Sequence, residues 1–459
     1  MSLLSDATGT SFSLSLAKRG RFLYWFIKEL GRLYKRHIVF GLVIGSITFI
    51  AIQNFLLPFY RTRAKKTEYI GIVGDYTVST LPEPILNQIS YGLTQQDEFG
   101  NISPGLAASW EATDSGKKYL FQINTNIFWH DKTKVTLNDI NYNIKDVTVT
   151  RKEPDTIIYQ LPMPYSPFLT VVSKPIFKKG LIGYGPYYVS GLLYKGGYFL
   201  TLTLSSHDER IASKTYKFYK TESQAILAYK QGEVDRLEGL LSYEKEISTW
   251  KNTVVSSDVN YNRMVMIFFN MKDPLLQEKS LRQALAYSVP ELSEERVFSP
   301  IGKTSWAYTD SVKQYTYDVQ QAQKLFENTK ISTSSASLTL YTFSPYLDTA
   351  KKIAESWTTL GIPTEVKVEN MLPPSYQVFL TARDIPKDPD QYAFWHSTQT
   401  LTNITNYSNP KIDKLLEDGR AETDQEKRLE IYTDFQKRLV DDAPAIFLYY
   451  PKTYRIERK

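Results

Sequence analysis

The chain has 459 residues, 42% hydrophobic and 23% charged, a globular composition long enough for two or three lobes. It contains no cysteine, which excludes disulfides, cysteine nucleophiles, thiolate metal sites and cysteine-borne lipid anchors. The formal charge of +6 is unevenly placed: residues 1–66 carry +9 and the remainder −3, and a mildly acidic main body argues against nucleic-acid binding.

Residues 1–17 are rich in Ser, Thr and Leu, a composition that predicts little order. Over residues 19–36, Phe22, Phe26, Leu30 and Leu33 recur at helical spacing between Arg and Lys. That pattern fits either an amphipathic helix on a membrane surface or a plain basic flank. Residues 38–59 contain no charged side chain, and about 20 apolar residues suffice to cross a bilayer. A cleaved signal peptide would have a shorter apolar core and a basic region nearer the start, so an uncleaved signal anchor is favoured. Seven basic residues precede the span and four follow it, which places the N-terminus in the cytoplasm and the main domain outside.

After a basic linker, residues 68–73 read as a strand. Residues 85–93 are apolar and end in Ser90-Tyr91-Gly92-Leu93. Residues 104–111 read as a turn, a short helix and a strand entry; 119–123 as a strand; 128–131 as a turn; 136–140 as a capped helix start. Towards the end, 383–390 is a turn cluster rich in Asp and Pro. The aromatic run 392–396 follows, then Asn403, Asn406, Tyr407 and Asn409-Pro410. Two amphipathic segments, 412–420 and 426–440, lead to the apolar strand 445–450. Asp/Pro turns beside Trp, His and Tyr set polar groups next to flat apolar faces, which suits a peptide-like ligand. A surface loop over core aromatics gives the same pattern.

The run GLAASWEATDSGKKYLFQINTNIFWHDKTKVTLNDINYNI resembles the N-terminal signature of the family 5 extracellular solute-binding proteins, the oligopeptide-, dipeptide- and nickel-binding components of ABC importers. Lys132 stands where that pattern usually has Gly. IIYQLPMPYSPFLTVVSKPIF, GYGPYYV (183–189), AILAYKQGEVD and FFNMKDPLLQEKSLRQALAYSV continue the resemblance in order. So do Asp388-Pro389-Asp390, the Asn-Pro before Ile412, and Asp442-Ala443-Pro444, which gives a match over about residues 68–450. The chain is shorter than the pattern between Ile144 and Val147 and between Lys179 and Gly183. Peptide-binding relatives often carry Trp-x-x-Asp before the Asp-Pro-Asp, its Asp holding the peptide's amino group. Here that Trp is missing and Asp384 sits one place off.

The resemblance implies an α/β, two-lobe, periplasmic-binding-protein-like fold of type II, with an extra small β-rich domain, behind the N-terminal transmembrane helix. The expected division is 1–37 cytoplasmic, 38–59 anchor, 60–67 linker, and 68–262 first lobe, including the β-rich domain at 77–162. The second lobe is 263–440, and 441–459 returns to the first. The chain crosses near Asn262 and returns near Val440. The implied function is a membrane-anchored extracytoplasmic protein that captures peptides, or a similar small solute, between its lobes and delivers them to ABC permease subunits. The alternative is a membrane-tethered structural or sensory module with a degenerate cleft.

The 33 Tyr and 14% aromatic content could line a cleft for varied side chains. Candidate ligand-binding residues are Tyr91, Trp129, Asp384, Asp388, Asp390, Trp395, His396 and Tyr407. Core packing competes for the aromatics, and turn capping for Asp388 and Asp390. Arg282 faces either a carboxylate or a helix-surface partner. An enzyme needs a constellation that is absent. His37, His130, His207 and His396 lack metal-ligand spacing, and no metal or cofactor is implied. Gly302-Lys303-Thr304 lacks the Gly five residues earlier that a phosphate loop requires, Val297 standing there, and no Gly-x-Ser-x-Gly elbow occurs. Asn403-Ile404-Thr405 and Asn406-Tyr407-Ser408 are acceptor sequons.

Overall fold

The computed structural model of the protein describes residues 24–56, apart from 27 and 30, and residues 67–459, apart from 330 and 332–335. It forms two units, Met1–Lys66 and Thr67–Lys459. The readings at 1–17, Phe22, Leu30, 57–59 and 60–66 lie outside the described residues.

In the first unit the described part of residues 24–33 is helical, with Phe26 and Leu33 exposed. The chain bends at Tyr34 and continues as α1 (Lys35–Ala51), three residues ahead of the expected start. After Lys35-Arg36-His37 its sequence is apolar on every side. The stretch Lys35–Asn54 has a mean hydropathy of 1.6 with no part buried, and is long and apolar enough to cross a membrane.

Among its described residues the second unit holds four sheets. In chain order the strands are β1 (Thr67–Val73), β2 (Thr94–Gln96), β3 (Ile102–Pro104), β4 (Ala107–Thr113), β5 (Lys118–Ile123), β6 (Thr148–Lys152), β7 (Thr156–Gln160), β8 (Tyr188–Lys195), β9 (Tyr198–Ser205), β10 (Ser213–Tyr219), β11 (Arg236–Leu240), β12 (Thr253–Val259), β13 (Arg263–Phe269), β14 (Leu338–Phe343), β15 (Thr364–Glu369), β16 (Val378–Asp384), β17 (Ala445–Tyr449) and β18 (Lys452–Arg458). The helices that matter below are α2 (Glu83–Ile89), α3 (Phe168–Val171), α4 (Glu222–Gln231), α5 (Lys279–Tyr287), α6 (Val319–Asn328), α7 (Leu347–Leu360), α8 (Tyr392–Trp395), α9 (Pro410–Ala421) and α10 (Gln425–Asp442).

A seven-stranded sheet runs β12-β18-β11-β1-β10-β9-β8, with β1 parallel to both neighbours. Alternation along β1 gives it two cores. Ile70 packs with Ile85 and Ile89 of α2 on one face, and Leu237 with Ile226 and Tyr229 of α4 on the other. A four-stranded antiparallel sheet, β4-β5-β7-β6, has its own core around Phe121, Tyr159 and Phe168. The five-stranded sheet β15-β14-β16-β13-β17 is covered by α5, α7, α9 and α10. Its inner strand β13, between β16 and β17, reads Arg263 and then Met-Val-Met-Ile-Phe-Phe, an apolar run buried on both faces.

Several expectations at 104–140 change. Within 104–111, read as a turn, a short helix and a strand entry, no helix forms: β4 begins at Ala107, because Trp110 and Ala112 pair with Phe121 and Tyr119 of β5, and that pairing outweighs alanine's helical preference. The Thr136/Asp139 capping box is present, but it closes only one 3₁₀ turn, Leu137–Asp139, after which Ile140 is extended. Lys132, in the glycine place of the signature, adopts a positive φ of 67°. Gly183 and Gly185 let the chain lie on the end of α2: a Cβ on Gly183 would stand 2.1 Å from the Ile89 carbonyl oxygen. The two amphipathic segments are α9 and α10. Asn409 caps the first by accepting from the Lys411 N–H at 3.0 Å, with Pro410 in its first turn.

The chain passes between the seven- and five-stranded sheets at 260–262 and again at 450–451. The resemblance implied crossings near Asn262 and near Val440. The second comes ten residues later than Val440, because β17 is itself buried in the five-stranded sheet beside β13.

Arg282 of α5 has a different task from either one expected. It is buried, and its guanidinium donates to the carbonyls of Asp442, Ala443, Leu276 and Gln277 at 2.6–3.2 Å. Two of these are at the C-terminal end of α10, where a cation offsets the helix dipole and satisfies orphan carbonyls. Arg282→Met should therefore destabilise the protein by about 3 kcal/mol, read as a fall in the urea midpoint. Arg282→Lys should recover only part of it, since one ammonium cannot span four carbonyls.

Candidate functional site

The elements around the two passages bring the seven-stranded and five-stranded halves face to face. At the passages, the Asn260 N–H donates to the Pro451 carbonyl at 2.9 Å and the Ile385 N–H to the Asn262 carbonyl at 2.8 Å. Tyr261 and Tyr450 meet edge to face, 5.1 Å between centroids. Further out, the loop after β2 meets the loop after β16. Gly100, at φ +87°, lies so close to Lys387 that a Cβ would be 2.7 Å from its carbonyl oxygen. Beside the four-stranded sheet, the Ser166 N–H donates to the Arg420 carbonyl at 2.8 Å. The Arg420 guanidinium lies 3.9 Å over the Tyr392 ring and 5.2 Å over Tyr165.

Two cavities lie along this meeting line. The smaller, about 60 Å³, is lined by Glu83, Asn87, Tyr91, Gln95, Gln96 and Lys387, among others. The larger, about 350 Å³, is lined in part by Asn101, Tyr119, Thr170, Trp306, Asp388 and Arg428. Gln96 stands between them, donating to the Gly100 carbonyl at 3.2 Å and to Thr170 Oγ1 at 3.3 Å. Among the described residues, the Lys387 ammonium and the Glu83 carboxylate have no hydrogen-bonding or ion-pair partner. A third cavity, about 630 Å³, is larger but lies elsewhere. It sits at the Phe269/Val378 end of the β13–β16 pair, away from the Arg263/Asp384 end where the halves meet. Its polar groups mostly satisfy one another, as Asn406 with Asn270 and Gln377 with Asp273.

The residues singled out from sequence disperse. Tyr91 lines the small cavity, its ring edge-on to Tyr184 at 5.7 Å. Asp388 lines the larger one but is committed to Arg428 at 3.0 and 3.3 Å. Asp390 pairs with Arg420 at 2.9 Å; burial pushes its carboxyl up, against the pull of Arg420. Both carboxylates also cap their own turn, Asp388 taking the Asp390 N–H and Asp390 the Tyr392 N–H. Asp384 is exposed, 3.7 Å from Arg263.

Trp129 and Trp395 are core rather than lining, each 2% exposed, because their own domains satisfy the indole N–H through Asp139 and Gln391. His396 is buried in a stack on Tyr392, 4.0 Å between centroids, with its ring nitrogens beside Thr398 and Glu417. Tyr407 is buried and donates to Asp442 at 2.5 Å. Asn403 is buried too, its amide held by the Tyr407 carbonyl at 2.9 Å. Lys387, Glu83, Gln95 and Gln96 were not singled out, because lone polar residues in turns carry no distinguishing signal.

A family profile described as "Bacterial extracellular solute-binding proteins, family 5 Middle" matches residues 145–406, more than half of the chain. The chain belongs to this family. Family 5 proteins bind solutes rather than transform them, in keeping with the missing catalytic constellation. The chain is similar to the oligopeptide-binding protein AppA of Bacillus subtilis, 22% identical over 476 residues, covering 83% of this chain and 87% of AppA. It is similar to the dipeptide-binding protein of Escherichia coli, 23% identical over 456 residues, covering 78% and 82%. Among solved structures, NikZ from Campylobacter jejuni in complex with Ni(L-His) superposes with a TM-score of 0.73 at 21% identity, covering 86% of this chain and 94% of NikZ. Bacillus subtilis AppA in complex with a nonapeptide gives 0.68 at 20% identity, covering 86% and 95%. This family 5 protein therefore has the mixed α/β periplasmic-binding-protein fold with several sheets.

Two measurements test the electrostatics. Arg428→Met leaves Asp388 buried and unpaired and should cost about 4 kcal/mol in urea unfolding, whereas Asp388→Leu/Arg428→Met together should regain most of it. Burial alone would raise the Asp442 carboxyl, but donation from Tyr407, Lys279 and Asn409 outweighs that and holds it below its ordinary value. A depressed carboxylate contributes stability that is present above the unfolded value near 4 and is lost as pH falls through the folded one. Unfolding free energy should thus fall with pH below about 4, and Asp442→Asn should remove part of that fall while lowering stability at neutral pH.

Proposed function

We propose that this chain is a membrane-anchored extracytoplasmic binding protein that takes up short peptides between two hinged lobes and delivers them to the permease of an ABC importer. The observation that carries the reading is the pair of chain passages at 260–262 and 450–451, with polar cavities between halves that each have their own core. On this reading 68–262 and 452–458 form the first lobe, with the four-stranded sheet attached, and 263–449 forms the second. Two short passages permit rigid halves to rotate, and a ligand touching both favours the closed arrangement over the open one. The α1 helix serves as the uncleaved anchor, replacing a lipid attached through the cysteine this chain lacks.

Peptide is favoured as ligand by the chemistry of the smaller cavity. The free Lys387 ammonium and Glu83 carboxylate supply one charge of each sign, and Asn87, Gln95 and Gln96 offer amides that match a peptide backbone. AppA is named for oligopeptides and its solved complex holds a nonapeptide, whereas NikZ holds Ni(L-His). Of the eight residues chosen from sequence, Tyr91 and Asp388 stay as lining groups in this reading. One observation favours a second reading, a tethered module with a degenerate cleft: about 60 Å³ is far below the ~300 Å³ usual for a ligand pocket.

Native mass spectrometry of the full chain in detergent, purified without denaturation, separates these. A co-purified peptide mixture whose release lowers the melting temperature supports import. A nickel-chelate adduct keeps the binding role and replaces the ligand. Absence of any adduct, and of any thermal shift with a peptide library, leaves the degenerate module. In the first case, Lys387→Ala should weaken peptide binding by about 2 kcal/mol, roughly 30-fold, in calorimetric titration.

A further inference from the structure

The β8–β9 hairpin forms one outer edge of the seven-stranded sheet. Lys195 is the single charged residue between Tyr188 and Ser206. Around the Gly196-Gly197 turn, Leu192, Leu193, Tyr194, Tyr198 and Leu200 are each 39–55% exposed. The tip is held firmly at its root: Phe199 is buried, its N–H donates to the Tyr76 carbonyl at 2.8 Å, and its ring lies 4.5 Å from Tyr194. Leu193 pairs with Thr201 on the face opposite the core, whereas Leu192 pairs with buried Leu202. Apolar surface therefore wraps both faces of a fixed edge hairpin, which calls for a cover.

A second copy paired edge to edge is a poor cover. The β8 ladder shifts register between Val189 and Gly191 and again between Leu193 and Tyr194, and such bulges turn an edge away from pairing. A lipid interface fits better. Leucines enter the acyl boundary, tyrosines settle at headgroup level, and one lysine meets anionic headgroups. A bilayer is also in reach if α1 spans it. Thr67 is level with Ser213, at the open end of the hairpin, and the tip lies about 20 Å further along the sheet. Residues 57–66, at most about 35 Å long, can cover that distance. We propose that the tip of the β8–β9 hairpin is a second membrane contact that seats Leu193, Tyr194 and Tyr198 at the lipid interface. The proposal rests on the anchor reading of α1.

The absence of cysteine makes the test direct, since one introduced thiol labels one place. The full chain carrying Leu193→Cys, Gly45→Cys or Leu401→Cys is labelled with an environment-sensitive fluorophore. It is then reconstituted in vesicles of phosphatidylethanolamine and anionic phosphatidylglycerol, with or without nitroxide-bearing acyl chains. Gly45 lies in α1, and Leu401 is 93% exposed on the other half. The expected result is a blue shift and loss of most emission to nitroxide lipid at positions 45 and 193, with none at 401. Adding Tyr194→Glu and Tyr198→Glu should abolish the loss at 193 and spare that at 45. Quenching at 45 without quenching at 193 overturns the hairpin contact and leaves the anchor standing. Quenching at neither position overturns both. A blue shift at 193 that follows protein density and ignores nitroxide lipid means a second copy covers the hairpin, and it too overturns the proposal. Quenching at 193 that survives both glutamates does the same.

Discussion

The turn Asp388-Pro389-Asp390 is tied down by two arginines, and the meeting of the two halves depends on it. Asp388 is held by Arg428 of α10 and Asp390 by Arg420 of α9, while each carboxylate also takes a backbone N–H of the turn. Pairs of this kind contribute little net stability over an apolar replacement, because desolvation of both charges offsets their attraction. Their effect is positional. With the turn fixed, the Lys387 carbonyl is held against Gly100 and its ammonium beside the cavity that Glu83 lines. Arg420 extends the constraint across the interface, since its guanidinium lies over Tyr165 and its carbonyl accepts from Ser166.

A fixed turn needs a rigid base, and the five-stranded half supplies one. Arg282 binds the end of α10 to α5 and to the segment before it, and Asp442 gathers Tyr407, Asn409 and Lys279 around the same point. The helix that carries Arg428 is thus pinned at its far end. The seven-stranded half is built independently, with a core on each face of its sheet. Only 260–262 and 450–451 join the two sheets covalently. Among the described residues the halves meet through isolated hydrogen bonds, the Tyr261–Tyr450 edge, the Arg420–Tyr165 contact and the close approach of Gly100 to Lys387, while their apolar cores are separate. Interiors resist deformation whereas such contacts exchange readily with water, so any motion is concentrated at the passages.

This architecture also explains what the sequence revealed. Signals that act within a few residues were legible: Asn409-Pro410 opens α9, the Thr136/Asp139 box forms, and β1 and β17 run within a residue of the strands read at 68–73 and 445–450. Residues 107–110 were misread as helical because their strand partner, β5, is known only once the chain has turned back. Site residues were ambiguous for a related reason. Trp129, Trp395, His396 and Tyr407 sit beside polar groups, and a sequence cannot say whether those groups face a ligand or satisfy the ring. In all four cases the partner is a nearby side chain of the same half. Conversely, Gln96 and Lys387 look like any surface residues, and matter only because two loops nearly 300 residues apart meet.

A tether changes what such a protein requires of its partner. A binding protein free in a periplasm or medium must find its permease by diffusion, and its docking surface must supply the whole association energy. If α1 is the anchor proposed above, the ten residues 57–66 can hold the body no further than about 35 Å from it. Effective concentrations for short flexible links reach the millimolar range, so weak docking contacts suffice. A second contact through the β8–β9 hairpin would narrow the orientations of the body further, at the cost of rotational freedom. Both effects reduce the entropy left to be lost on docking. On that reading the docking surface for a permease could be small, with the hairpin's exposed apolar side chains turned to lipid rather than to the partner.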